Sequence, residues 1–266
     1  MKAAGFLRCV SVDALKMRRT LALALAVLLP AAPVGVFFIY LVREGTAPPR
    51  GTGFSAASLV IQQLVGLWAI LVLPVFAAVE TSLLAAIEHQ NRGWKHLFAL
   101  PPARGSLIGA KFASAVLLVG IAHTCLFGYT LALLWAIPKL RPGIGFDGRI
   151  PVLAALLVVA ACAVSSLFVV GIHAFIALRW PSFALNVGIA LAGLLCVVVV
   201  LETPARLYYP WGQPGAVLNI VVPWIFHWPG GPAGPADILA VLAISTGGFL
   251  LTAFGGGWLL SRRDVF

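Results

Sequence analysis

Four side chains of the kind that hold soft metal ions lie in apolar stretches of this 266-residue chain: His123 and Cys125, then Cys162 and His173. Imidazole and thiolate suit copper or zinc. His123 and Cys125 are two residues apart, however, so on a helix they point about 200° away from each other and cannot close on one ion. The histidines are expected to hydrogen-bond between helices and the cysteines to pack as small hydrophobes. Cys9 and Cys196 complete a set of four cysteines with no CxxC spacing. Neither a zinc site nor a disulfide framework follows, and no metal is expected.

Other reaction chemistry is equally sparse. The string nearest to a phosphate-binding GxxxxGK[ST] loop is Gly105-Ser-Leu-Ile-Gly109-Ala-Lys111, which has the wrong spacing and lacks the final hydroxyl. There is no HExxH pair, no GxSxG nucleophile turn and no cluster of carboxylates of the kind a proton-driven pump uses. No catalytic residue and no cofactor on this chain are therefore expected. Glu80 is the one acid placed to face an interior, at the inner end of its apolar run, and is expected to snorkel to the membrane interface.

The elements that position these residues are set by composition. Hydrophobic residues make up 61% of the chain and charged residues 10%, and mean hydropathy is +1.04. A soluble domain carries about 25% charged residues. A cytosolic enzyme and a disordered chain are excluded on this ground. The net charge of +10 flanks the apolar runs, where it reads as topology signals and contacts to anionic lipid headgroups; no nucleic acid is expected as a partner.

Six intervals free of charge, each about 22 to 29 residues long, are long enough for a helix to cross the hydrocarbon core. The expected spans are 21–42, 59–82, 112–137, 152–178, 183–201 and 238–260. They are continuously apolar rather than alternating, so they read as helices and not as barrel strands. The first is expected to be retained rather than cleaved, because its apolar run continues through Phe37, Phe38, Ile39 and Tyr40. Of the 18 Lys and Arg, twelve fall on the side that holds both termini and six on the other. The positive-inside rule then makes both termini cytoplasmic, although the opposite loop 138–150 carries three basic residues.

Segments between the spans carry further signals. Phe6, Val10, Ala14 and Met17 fall on one helical face, which suggests an N-terminal helix lying along the inner membrane surface; a plain basic tail is the other reading. In the long internal loop 83–110, Leu84, Ile87, Asn91, Trp94 and Phe98 recur at helical steps, with Glu88, Arg92 and Lys95 around the other side and Pro101-Pro102 as the stop. A short helix bearing Trp94 suits insertion into a groove on another protein, and equally suits anchoring at the headgroups. The segment 202–237 holds Tyr208, Tyr209, Trp211, Trp224 and Trp228 among prolines and glycines. Its middle is too apolar for a solvated loop and too short to cross, so it reads either as a re-entrant hairpin, a possible external gate, or as an aromatic belt. The glycines 247, 248, 255, 256 and 257 suit close helix packing within the bundle or at a dimer face.

The string Glu88-His-Gln-Asn91-Arg-Gly93-Trp94-Lys95-His-Leu97-Phe-Ala-Leu100-Pro101-Pro-Ala-Arg104, followed by Lys111, resembles a recurring motif of the permease subunits of type-2 ATP-binding-cassette transporters. Asp13-Ala-Leu-Lys16-Met-Arg-Arg and the closing Arg262-Arg263-Asp264 are similar to further short pieces of that family, and the whole topology matches it. The branch with lantibiotic-immunity and bacitracin-resistance permeases is the most similar. Pro102 departs from the small aliphatic residue common there.

The resemblance implies a single all-α permease domain whose loop helix seats on a nucleotide-binding subunit. Glu88, Asn91, Trp94 and Lys95 would carry that coupling, with Arg104 and Lys111 pinning the return to the third span. It implies ATP and magnesium on the partner chain, a homodimer or a heterodimer with a similar permease, and export of a peptide, lipid-like or other amphipathic molecule. A non-transporting scaffold or sensor subunit that docks a cytoplasmic partner through the same loop is the alternative.

Overall fold

The computed structural model describes residues 2–18, 20–43, 55–89, 93–99, 102–141, 150–200, 203–228 and 236–262. Among these, regular structure is entirely helical. Six helices are long and apolar enough to cross a membrane: Leu21–Arg43, Ala56–His89, Arg104–Leu140, Val152–Arg179, Phe183–Val200 and Ala236–Ser261. We number them as the first to sixth spans. The expected starts and ends agree within a few residues except around the internal loop. There the second span runs on to His89 and the third begins at Arg104, so most of 83–110 is helix. The charge-free intervals stop at Glu80 and Lys111, but both helices run past these residues: Glu80 is enclosed by protein, and Lys111 meets Glu88.

The spans are not uniform rods. A wide π turn at Trp68–Val72 in the second span precedes Pro74, which has no N–H to offer the carbonyl four residues back. The fourth span breaks at Ser166, and the sixth span repairs it. Ser245 Oγ donates to the Ser165 carbonyl at 2.8 Å and accepts from the Phe168 N–H at 3.1 Å, so the irregular backbone stays satisfied away from water. Gly248 and Gly256 lie under the rings of Phe168 and Phe175, whereas Gly247 and Gly255 face open space. The glycine-rich sixth span thus packs within the chain on one side only. Arg141, one of the basic residues in the loop after the third span, donates to the carbonyls of Val42 and Arg43 and caps the first span. Of that loop's other two basic residues, Lys139 lies over the Trp135 ring within the third span and Arg149 is outside the described residues.

Two further helices of more than ten residues sit outside the six among the described residues. Lys2–Met17 packs along the start of the third span, with Phe6 against Gly109 and with Cys9, Asp13 and Met17 buried. Its other side exposes Leu7, Val12 and Leu15. Gln213–Ile225 is enclosed by the fourth and second spans, and nearly every residue from Gln213 to Pro223 is buried.

Candidate functional site

The loop root is built from charge. Lys111 lies seven residues inside the third span and is 3% exposed; its ammonium donates to Asp13 Oδ1 at 2.7 Å and to Glu88 Oε1 at 2.9 Å. Lys16 donates to the same Glu88 oxygen at 2.7 Å. Asp13 and Lys16 both come from the N-terminal helix, Glu88 from the end of the second span and Lys111 from the third. Four charges, two of each sign, thereby tie three elements together where the loop begins. Desolvation lifts the Asp13 carboxyl above its ordinary value, against the pull of Lys111 and Lys16. Burial also raises the Cys9 thiol, so it stays an unreactive packing group.

The loop then reverses over Glu88. A Cβ on Gly93 would stand 2.8 Å from Glu88 Oε2 and 3.2 Å from the Glu88 carbonyl, so only glycine makes this approach. The helix Gly93–Phe98 follows. The Trp94 indole N–H donates to His89 Nδ1 at 3.2 Å, and the other ring nitrogen of His89 donates to the Ala177 carbonyl of the fourth span at 2.9 Å. Trp94 stacks obliquely on Phe98, whose ring carries the Arg104 guanidinium at 5.0 Å. Arg104 also reaches the Ser261 carbonyl at the end of the sixth span.

The structure therefore changes the expected facing of this loop. The described helices end at His89 and begin at Gly93, and Glu88 is 3% exposed rather than on an outer face. Trp94, Leu97 and Phe98 turn onto their own chain, and the exposed side of the short helix carries Lys95 and His96. Asn91 lies outside the described residues, as do Arg92 and Pro101. Of the N-terminal face, Met17 is buried and Phe6 and Val10 are half-buried, all against protein.

A second, uncharged network occupies the interior. His173 in the fourth span donates from Nδ1 to Asn186 Oδ1 at 2.8 Å and accepts from the Trp211 indole at its Nε2, 3.1 Å away. The Asn186 amide donates onward to the Ala78 carbonyl at 2.9 Å and the Ser82 hydroxyl at 2.9 Å, with Thr81 at 3.1 Å. Trp211 fits because Gly193 has no side chain: a Cβ there would stand 2.6 Å from the indole ring. Tyr209 donates to the Gly193 carbonyl at 2.9 Å, and burial pushes its phenol up to about 12, so it remains a donor. The four aromatic residues of the expected gate divide accordingly. Tyr209 and Trp211 enter the bundle, whereas Tyr208 and Trp224 are exposed.

The metal-ligand types go to hydrogen bonds in the same manner. His123 donates to the Val119 carbonyl at 2.8 Å and accepts from the Trp68 indole at 3.3 Å, linking the second and third spans. Three tryptophans thus each donate to a histidine. Sequence reasoning missed Asp13 and Lys16 as partners of the loop, although an acid and a base three residues apart beside an apolar stripe are a signal for them. It also missed Asn186, a lone amide in an apolar run.

Residues 9–197 match a family model described as ABC-2 family transporter protein. That match runs from the N-terminal helix to the fifth span and takes in the whole charged loop root. No curated protein and no solved structure matches the chain.

Proposed function

This chain belongs to the ABC-2 transporter family, whose membrane subunits pair with an ABC ATP-binding subunit and are not themselves catalytic, and on that premise we propose that it is the permease of an exporter. It is a multi-pass protein of the bacterial inner membrane. The partner hydrolyses ATP with magnesium, and two membrane chains, identical or similar, form the pathway between them. The substrate class is a peptide, lipid-like or other amphipathic molecule that moves outward, with both termini of the chain on the cytoplasmic side. The string from Glu88 to Arg104 supports placement beside the lantibiotic-immunity and bacitracin-resistance permeases.

One observation carries this reading: a short helix showing Lys95 and His96 is held to the end of the second span by Trp94 on His89 and to the start of the third by Phe98 under Arg104, and Glu88, His89 and Arg104 join these ends to the third, fourth and sixth spans. A contact that moved this helix would move the spans with it, because the elements are joined by short polar bonds and close packing. In this arrangement Lys95 meets the ATPase, while Glu88, Trp94 and Arg104 position it. Asn91 belongs to the same stretch of chain.

Gentle solubilisation of native membranes tests the partnership: an ATPase chain is expected to co-purify, and its absence would overturn the reading. Reconstitution with that ATPase, ATP and an amphipathic peptide separates a permease from a scaffold. Flux is expected for the permease and is expected to drop at least tenfold on Lys95→Glu with the chain still folded. ATP hydrolysis without flux of any amphipathic probe would leave the scaffold or sensor reading in its place.

A further inference from the structure

Glu80, Leu84 and Glu88 stand at four-residue steps on one stripe of the second span. The Glu88 end of this stripe meets Lys111 of the third span. Glu80 lies two turns deeper, about 12 Å along the helix. It is 1% exposed, and neither carboxyl oxygen has a hydrogen-bond partner among the described residues. The expectation that it snorkels to the interface is therefore corrected: the side chain is enclosed by protein. The residues one turn either way, Phe76, Ala77 and Leu84, are buried and apolar.

The charged groups, histidines and tyrosine on the elements packed around Leu73–His89 are committed elsewhere or exposed, and the thiols of Cys125 and Cys162 are half-buried and buried in the third and fourth spans. On the third span, Lys111 serves Asp13 and Glu88, His123 serves Val119 and Trp68, Tyr129 donates to Val27, and Arg104 and Lys139 lie on aromatic rings near its ends. On the fourth, His173 serves Asn186 and Trp211, and Arg179 lies over Trp180. The fifth contributes Cys196, which is exposed, and the short loop helix contributes Lys95 and His96, also exposed. The adjoining part of the first span, Leu21–Leu28, carries no titratable group.

An ionised carboxylate enclosed in this way, without a cation or a donor, is the least tolerable group a membrane bundle can hold; the acid form removes the charge. We propose that Glu80 is an intramembrane proton-binding site, carrying its carboxyl as the neutral acid while the second span is packed among its neighbours. Should that packing open and admit water, the carboxyl loses its proton to the water, and repacking takes one up again. The inference does not depend on the direction of transport or on the partner.

Infrared spectroscopy of the full chain in phosphatidylcholine vesicles at neutral pH tests this directly. The wild type is expected to show the carbonyl stretch of a protonated carboxylic acid, lost in both Glu80→Gln and Glu80→Met and retained in Glu88→Gln. Two neutral variants are specified so that a folding defect in one does not decide the result. A spectrum without that band, a band unchanged in both Glu80 variants, or loss of a carboxylate stretch in them instead would overturn the proposal.

Discussion

Glu88 and Asn186 both bind the second span to its neighbours, but by opposite physics. Glu88 is charged and is met by two ammonium groups at 2.7 and 2.9 Å, at the end of the bundle where the loop turns. Asn186 is neutral and is met by an imidazole, two hydroxyls and a backbone carbonyl within the bundle. A buried charge that loses its partner is left with its full desolvation cost, whereas a neutral amide that loses one partner keeps the others. The loop root is therefore a joint that depends on Lys111, the cation shared by both acids, and is suited to an element that transmits force, whereas the interior network is a graded one that locates helices. Glu80, on the same stripe as Glu88, shows what a carboxyl does where no cation reaches it.

The contrast is tested most severely at Lys111. Lys111→Met leaves Asp13 and the inner side of Glu88 without their shared cation, and we expect a loss of about 3–5 kcal/mol, read as thermal unfolding in detergent and as release of the N-terminal helix to protease. Restoring neutrality with Asp13→Asn in the same chain is expected to recover part of that loss. A Lys111→Met protein that melts like the wild type would mean that the cluster does not hold the root.

In the interior the effects are expected to be smaller. Gly193→Ala places a methyl group against the Trp211 ring and is expected to cost about 1–3 kcal/mol through overpacking, with Trp211 displaced toward solvent. Asn186→Ala is expected to cost about 1–2 kcal/mol, since His173 loses an acceptor and Ser82 a donor; hydrogen exchange at the fourth span should rise while the loop root stays protected. Trp211→Phe keeps the ring and removes the indole N–H, so about 0.5–1.5 kcal/mol is expected, and a double-mutant cycle with His173 should show that the loss is shared.

Lys16→Ala is the mildest. Lys16 is about one-third exposed, and Glu88 still has Lys111, so less than about 1 kcal/mol is expected, and less again at high salt. If Lys16→Ala cost as much as Lys111→Met, the cluster would be a network without a dominant member.

Much of this architecture was legible beforehand for a plain reason. A chain that must satisfy its backbone inside lipid has few solutions, so each charge-free interval became a helix, and the alternation that marks a barrel strand is absent. The loop motif was legible as a motif, and its helix Gly93–Phe98 exists. The facing of Trp94 was not legible, because helical periodicity tells which residues share a side and not whether that side meets the same chain or another. Glu80 was misjudged for a related reason: its position along the span suggested the interface, and only its neighbours reveal that it is enclosed. His123 and His173 were read correctly as hydrogen-bonding groups, but the tryptophans they meet lie 55 and 38 residues away.

Hydropathy and charge spacing alone were sufficient for the membrane class and the six spans, because these depend on transfer of residues from water to lipid one segment at a time. Which acid finds a lysine, which indole finds an imidazole, and which face of the loop helix looks outward were settled by the three-dimensional packing. Each of those outcomes requires two or three distant segments to meet within hydrogen-bond distance, and a linear pattern holds no information on that separation.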